Sequence, residues 1–263
     1  MYRKIVFPIV LILSIISMVV FTSGFIDSIS ITTSNTNNDL IAKEDVNGNK
    51  ETFLSNDENV LNLLILGDSI GSGAGDEAGK DIGRRYGELV DEKNEVNTIN
   101  LSISGSKSKE LLERVNEEGY DEIIENSDLV IISIGGNDLK EILDSRTLDL
   151  FVDYDNILLK FLNNLESIIG ALREKNNDSQ IVYVGLYNPY GEKLSQEKLD
   201  LLMDWNYETQ RQIESYNETV YIPTYDLFKY NLQAYLSIDE FHPSAMGYDA
   251  ITKRLYNVIN GVE

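Results

Sequence analysis

The sequence contains no cysteine and a single histidine, His242, in 263 residues. Without cysteine the chain has no disulfide, no thiolate zinc site and no cysteine nucleophile. One histidine also excludes a histidine-rich metal site, and it makes any histidine-dependent mechanism testable at one position. Basic residues are scarce too, because 22 Lys and Arg stand against 44 Asp and Glu. The resulting negative surface repels nucleic acid and anionic membrane faces, so we expect neither as a partner of the folded body.

The amino-terminal segment is apolar where the rest of the chain is acidic. Arg3 and Lys4 are followed by residues 5–26 without a charge. The densest part of this stretch has the length of a signal-peptide core, whereas the whole stretch is long enough to span a bilayer. Residues 1–26 are therefore expected to be a signal peptide or a membrane anchor. The basic flank predicts an extracytoplasmic body, secreted or tethered to the outer face of the membrane.

Residues 27–57 are rich in Ser, Thr, Asn and charged side chains, which predicts a flexible linker. Residues 58–263 then alternate between short apolar runs and amphipathic stretches with helical spacing, and we expect them to form one domain. The stretches predicted to be helical are Glu77–Glu92, Lys107–Asn116, Phe151–Leu172, Leu194–Tyr216 and Ala245–Ile259. The apolar runs predict five buried strands, at Leu61–Leu66, Val96–Ile103, Leu129–Ile134, Ile181–Leu186 and Thr219–Ile222. Strands separated by helices favour a parallel sheet with helices on both faces, so the predicted class is α/β.

Residues whose side chains or backbone N–H groups could act in catalysis follow the ends of the first three strands. Ser69 comes just after the first strand, Gly105 after the second and Asn137 after the third, while Asp239 and His242 lie near the carboxyl terminus. Ligands of open α/β sheets bind outside the carboxyl ends of the strands. The sequence therefore predicts a site at this edge of the sheet.

These residue types supply the parts of acyl-transfer chemistry. A serine hydroxyl needs a general base, and His242 is the side chain with a suitable pKa. Asp239, about one turn earlier, can accept a hydrogen bond from the imidazole. The backbone N–H groups of Ser69 and Gly105 and the amide of Asn137 can donate to an oxyanion. Ser69, His242 and Asp239 are thus the expected triad.

Four short blocks carry a family resemblance. Gly67-Asp68-Ser69-Ile70, Gly105, Gly135-x-Asn137-Asp138 and Asp239-x-x-His242-Pro243 resemble, in order, the blocks of the SGNH hydrolases, also called the GDSL lipase/acylhydrolase family. The resemblance covers about residues 60–261. It implies a flavodoxin-like three-layer sandwich with a five-stranded parallel sheet, the triad and oxyanion hole just given, and no metal or organic cofactor. The implied substrates are small esters, lipids or O-acylated carbohydrates.

Several alternatives remain open at this point. The glycine-rich stretch of residues 71–79 matches a loose dinucleotide fingerprint, but it begins beyond the strand end and no ribose-binding carboxylate follows the second strand. Asp68 adjoins Ser69, and we assign it to holding the loop rather than to the triad. Tyr187 and Tyr190, in the segment 186–190 after the fourth strand, either line an acyl or sugar pocket or are half-buried loop aromatics. An acyltransferase acting on cell-envelope polysaccharide and a catalytically idle binding module are the alternatives to an esterase.

Overall fold

The computed structural model describes residues 60–90, 95–144 and 150–261. All of them belong to one compact unit, Phe53–Glu263. The predicted signal or anchor of residues 1–26 and the predicted linker of residues 27–57 lie outside the described residues, so both stay predictions. Within the described ranges, no helix is both long enough and apolar enough to cross a membrane.

A five-stranded parallel sheet forms the centre of the domain, with the strand order β2-β1-β3-β4-β5. Its strands are β1 (Val60–Gly67), β2 (Glu95–Asn100), β3 (Leu129–Ser133), β4 (Gln180–Val184) and β5 (Thr219–Ile222). In the interior strand β1, Leu63 and Ile65 face one core, and Leu64 and Leu66 face the other. Continuous apolar runs are typical of strands covered on both faces. The predicted three-layer α/β fold is confirmed.

Helices cover both faces of this sheet. The described helices are α1 (Ile82–Leu89), α2 (Ser108–Val115), α3 (Asp121–Glu125), α4 (Gly136–Asp144), α5 (Leu150–Lys175), α6 (Gln196–Ile213), α7 (Tyr225–Tyr235) and α8 (Ala245–Asn260). Side chains of α1, α7 and α8 contribute to the core on one face, and those of α2 to α6 to the core on the other. Because all strands are parallel, their carboxyl ends meet at one edge, where the functional residues were expected.

Three local expectations were wrong. A helix was predicted from Glu77, but α1 begins at Ile82, because the Asp81 side chain caps it by accepting a hydrogen bond from Arg84 N at 2.8 Å. The residues before Asp81 remain an irregular loop. Helices α3, α4 and α7 occupy stretches for which no helix was predicted. Strand β2 ends at Asn100 rather than at Ile103, although Ile103 N still donates to Gly67 O.

Candidate active site

Ser69 lies at the start of the loop that follows β1, and its neighbour Asp68 anchors that loop. Asp68 is buried, and its Oδ1 accepts hydrogen bonds from Ile70 N at 3.0 Å and from Ser133 Oγ at 2.8 Å. Burial raises the pKa of Asp68 to about 6, against the lowering effect of these hydrogen bonds. The contacts of Asp68 hold the turn against β3, in agreement with the role predicted for it. Ser69 itself is only half-buried.

Asp239 and His242 are in direct contact in the loop before α8. His242 Nδ1 lies 2.6 Å from Asp239 Oδ2, and 23% of the His242 side chain is exposed. The other oxygen of Asp239 accepts hydrogen bonds from Ser237 Oγ, Phe241 N and His242 N. Partial burial alone would raise the pKa of Asp239, but the hydrogen bond with the His242 ring, together with these three, holds that pKa well below its usual range. A carboxylate that stays ionised favours a proton on Nδ1, which leaves Nε2 as the basic nitrogen.

The three predicted oxyanion donors lie on neighbouring loops. The N–H groups of Ser69 and Gly105 donate no hydrogen bond to any residue in the described part of the chain. Asn137, in the first turn of α4, donates one amide hydrogen to Ser106 O at 2.9 Å. An Asn amide has two hydrogens, so the second stays available. Each of the three positions therefore holds a donor that a developing oxyanion can use.

Side-chain contacts fix these loops relative to one another. Ser72 Oγ donates to Ser69 O at 3.0 Å and lies 2.9 Å from Ser104 Oγ, beside Gly105. Arg114 donates from Nη1 to Ser106 Oγ at 3.0 Å and from Nη2 to Gly67 O at 3.3 Å. The loops after β1 and β2 are thus joined twice. Arg114 was not predicted to be part of the site, because a basic residue on an amphipathic helix does not by itself indicate a contact with a distant loop.

Ser69 and Asn137 open onto a cleft beside the strand ends. Its other walls are mostly apolar, and they include Ile70, Leu139, Leu143, Leu186, Tyr187, Pro189, Tyr190, Leu202 and Phe241. Tyr187 and Tyr190 thus line a cleft, as one of the two alternatives for them predicted. Phe241 connects the cleft to the histidine, since its ring centroid lies 5.1 Å from that of His242. Tyr187 supports it by donating a hydrogen bond from its hydroxyl to Phe241 O at 2.8 Å.

The structure does not join every predicted site residue directly. No hydrogen bond links Ser69 Oγ to the His242 ring within the described residues, and Gly105 lies outside the cleft wall. Catalytic hydrogen bonds are often long before substrate binds and shorten in the reacting complex. Gly105 is tied to the site through its neighbour Ser106, whose carbonyl accepts from Asn137.

The glycine-rich loop after Ser69 packs against the histidine loop. Gly75 has φ +85°, and a Cβ placed on it would lie 2.6 Å from His242 Cβ. Tyr248 of α8 also donates to Ala74 O at 2.8 Å. The glycine at position 75 thus serves close packing against His242. Among the described residues, no group of three His, Asp or Glu is placed to hold a metal ion.

An open parallel sheet with a serine, a histidine–aspartate pair and unpaired N–H donors at its carboxyl edge defines an esterase-like α/β protein. Residues 65–250 match the model of the GDSL-like lipase/acylhydrolase family. This match covers well over half of the chain, so the chain belongs to that family. It is an ester-hydrolysing enzyme, and the predicted family resemblance is confirmed.

Two bacterial relatives cover most of the chain. The spore germination lipase LipC of Bacillus licheniformis is 32% identical over 205 residues, which are 74% of this chain and 94% of LipC. YpmR of Bacillus subtilis, a protein described as uncharacterized, is 30% identical over 205 residues, or 75% of this chain and 80% of YpmR. The match therefore covers nearly all of LipC and four fifths of YpmR.

Solved structures share the fold. The lipase Lip_vut3 from a goat rumen metagenome aligns with a TM-score of 0.63 and 26% identity, over 74% of this chain and 95% of the lipase. Axe2, an acetylxylan esterase from Geobacillus stearothermophilus, aligns with a TM-score of 0.58 and 18% identity, over 76% of this chain and 94% of the esterase. At that lower identity the likeness shows the fold alone.

Proposed function

We propose that the enzyme hydrolyses esters through a covalent acyl-serine intermediate on Ser69. His242 Nε2 takes the hydroxyl proton as Ser69 Oγ attacks the ester carbonyl, and the resulting imidazolium gives that proton to the alcohol oxygen as the C–O bond breaks. A water molecule then attacks the acyl-serine with His242 again acting as base, which releases the acid and free Ser69. Asp239 orients the imidazole and stabilises its cationic form.

The N–H groups of Ser69 and Gly105 and the second amide hydrogen of Asn137 are proposed to stabilise the oxyanion of each tetrahedral intermediate. Such donors are effective because they already point at the place where charge develops. The observation that carries the proposal is the 2.6 Å contact between His242 Nδ1 and Asp239 Oδ2 beside a cleft lined by Ser69 and Asn137. The neighbouring Phe241 ring extends the wall of that cleft to the histidine.

We further propose that the substrate carries an acyl chain longer than acetyl. The cleft walls are mainly Leu, Ile, Tyr and Phe side chains, and transfer of each buried CH₂ group from water is favourable by about 0.8 kcal/mol. Lipases are among the relatives, which favours a lipid-like acyl group, whereas Axe2 is an esterase of acetylated xylan. An O-acetylated carbohydrate is therefore the alternative substrate class.

The test is hydrolysis of p-nitrophenyl esters from acetate to decanoate by the purified enzyme. We expect kcat/KM to rise with chain length beyond acetate and then to fall when the cleft is full. Ser69→Ala should lower kcat by at least about a thousandfold. Ser167→Ala, which removes an exposed hydroxyl from α5, serves as the matched control and should retain full activity. A Ser69→Ala variant with unchanged activity contradicts the proposal, and an optimum at acetate supports the carbohydrate esterase.

A polyol acceptor added to the same assay separates hydrolysis from acyl transfer. We expect free acid as the main product, and an acylated polyol as the main product would instead identify an acyltransferase.

The location is also a proposal: the body lies outside the cytoplasm, because residues 5–26 carry no charge and follow Arg3 and Lys4. Protease treatment of intact cells tests this, since a cytoplasmic body would be protected until lysis.

A further inference from the structure

Lys140 places a positive charge beside the proposed catalytic groups. It lies one helical turn after Asn137 on α4, and both residues line the cleft that contains Ser69. Its ammonium group lies 5.0 Å from the centroid of the Phe241 ring. That ring in turn contacts His242 edge-on at 5.1 Å. The ammonium group is thus on the side of the cleft where the histidine lies.

The charge of Lys140 is not neutralised by an ion pair. No carboxylate of the described residues forms one with it, although the chain has a formal net charge of −22. The nearby acidic side chains have other partners: Asp138 accepts from Ser108, Glu141 pairs with Lys107, Asp144 accepts from Tyr190, Asp239 contacts His242, and Glu240 pairs with Lys193. The buried Asp68 carboxylate in the cleft accepts hydrogen bonds from Ser133 and Ile70. Among the described residues, the ammonium group of the exposed Lys140 thus has the face of the Phe241 ring, and no carboxylate, as its partner.

The position of the histidine decides which part of an ester meets this charge. In the proposed reaction His242 protonates the oxygen of the departing alcohol, so the alcohol portion lies on the histidine side. The acyl chain occupies the apolar walls of the cleft, where an anion would be poorly solvated. The acidic surface of the protein repels anions, but salt screens this repulsion over about 8 Å at physiological ionic strength. A direct contact between the Lys140 ammonium and an anionic group therefore outweighs it.

We propose that Lys140 is a specificity-determining residue that selects esters whose alcohol portion carries an anionic group. This inference rests on the proposed function, because it takes the positions of alcohol and acyl chain from the roles of Ser69 and His242. It gives the substrate a defined form: an apolar acyl chain joined to an alcohol that bears a phosphate or carboxylate.

The experiment compares two esters with the same acyl chain, p-nitrophenyl butyrate and its analogue with a carboxylate on the nitrophenyl ring. For each variant the measured quantity is the kcat/KM for the anionic ester divided by that for the neutral one. Lys140→Met should lower this ratio about five- to tenfold at low ionic strength, and Lys140→Glu should lower it further. Lys140→Arg, which keeps the charge, should restore most of it.

The matched control is Lys193→Met, which removes an exposed lysine that pairs with Glu240 at 3.4 Å and does not line the cleft. It should leave the ratio unchanged. Added salt should also lower the ratio for the wild-type enzyme and not for Lys140→Met. An equal ratio in the wild type, Lys140→Met and Lys140→Glu overturns the inference.

The assay keeps this inference apart from the proposed function. If Ser69→Ala abolishes hydrolysis of both esters while Lys140 variants leave the ratio unchanged, only the role of Lys140 is contradicted. If Ser69→Ala hydrolyses both esters as fast as the wild type, the proposed function fails, and the inference fails with it.

Discussion

Gly75 lies so close to His242 that a methyl group on Gly75 would come within 2.6 Å of His242 Cβ and 2.9 Å of Pro243 O. The loop after the proposed nucleophile therefore forms part of the surface against which the proposed base packs. A buried ion pair between Asp76 and Arg85 holds this loop against helix α1. The loop thus connects the Ser69 half of the site to the His242 half, although Gly75 has no side chain that could take part in the chemistry.

We predict that Gly75→Ala lowers kcat about 10- to 100-fold, because the added methyl group displaces His242, and a shift of about 1 Å costs that much in catalysis. The matched control is Gly79→Ala in the same loop. Gly79 also has positive φ, +65°, but its Cβ would meet open space. Both variants carry similar backbone strain, so an equal loss of activity in the two would contradict a specific role for the Gly75–His242 contact.

Gly105→Ala tests the second oxyanion donor. Gly105 has φ +85°, and its Cβ would also project into open space, so the substitution strains the backbone without a steric clash. We expect the strain to turn the Gly105 N–H away from the oxyanion and to lower kcat about tenfold or more. Thermal unfolding should show a loss of stability similar to that of Gly79→Ala. Normal kcat with reduced stability would mean that the Gly105 N–H does not act in catalysis.

Asn137→Ala removes the third donor. We predict a fall in kcat of about 10² to 10³ with a much smaller change in KM, because the lost hydrogen bond forms to the transition state. Asn116→Ala is a suitable control, since Asn116 likewise donates its amide to a single carbonyl, Leu112 O, but on the exposed end of α2. A rise in KM with unchanged kcat for Asn137→Ala would indicate substrate binding instead of oxyanion stabilisation.

The buried Asp68 makes the stability of the fold depend on pH. Burial raises the pKa of Asp68 from 3.8 to about 6, so the folded protein favours the protonated carboxyl. The protonated Asp68 carboxyl therefore contributes to the free energy of unfolding. This contribution is fully present below about pH 4, is lost as the pH rises through about 6, and amounts to about 3 kcal/mol. Asp68→Asn keeps an oxygen for the hydrogen bonds of Ser133 and Ile70 and carries no charge.

Urea unfolding of the wild type and of Asp68→Asn should therefore diverge with pH. The variant should unfold with a free energy close to that of the wild type near pH 4. It should be more stable than the wild type by up to about 3 kcal/mol above pH 7. Parallel profiles across this range would show that the Asp68 carboxyl titrates alike in the folded and unfolded states.

The sheet and the order of the site residues were predictable because each rests on a local pattern. Apolar runs such as Leu61–Leu66 define buried strands, and parallel topology brings the strand ends to one edge, which places Ser69, Gly105 and Asn137 together. Asp239 and His242 lie three residues apart, so their contact follows from a single turn of chain. No such pattern reveals helix α7 of residues 225–235, in which Phe228 is the buried side chain.

Contacts between distant parts of the chain were not predictable. The need for glycine at position 75 comes from His242, far along the chain, and appears in the sequence only as a glycine-rich stretch. Lys140 and Phe241 approach each other only because the fold brings α4 beside the histidine loop. The late start of helix α1, at Ile82 instead of Glu77, has the same origin. Asp76 pairs with Arg85, and the Glu77 side chain accepts a hydrogen bond from Ala245 N.

The most direct test of the account is covalent labelling of the purified protein by a fluorophosphonate, a reagent that reacts with activated serines. We predict rapid labelling of the wild type at one site, located by peptide mass spectrometry at Ser69. Ser69→Ala should not be labelled, and His242→Ala should be labelled at least about a thousand times more slowly. Labelling of a different serine, undiminished labelling of Ser69→Ala, or no labelling of the folded wild-type protein would contradict the proposal that His242 activates Ser69.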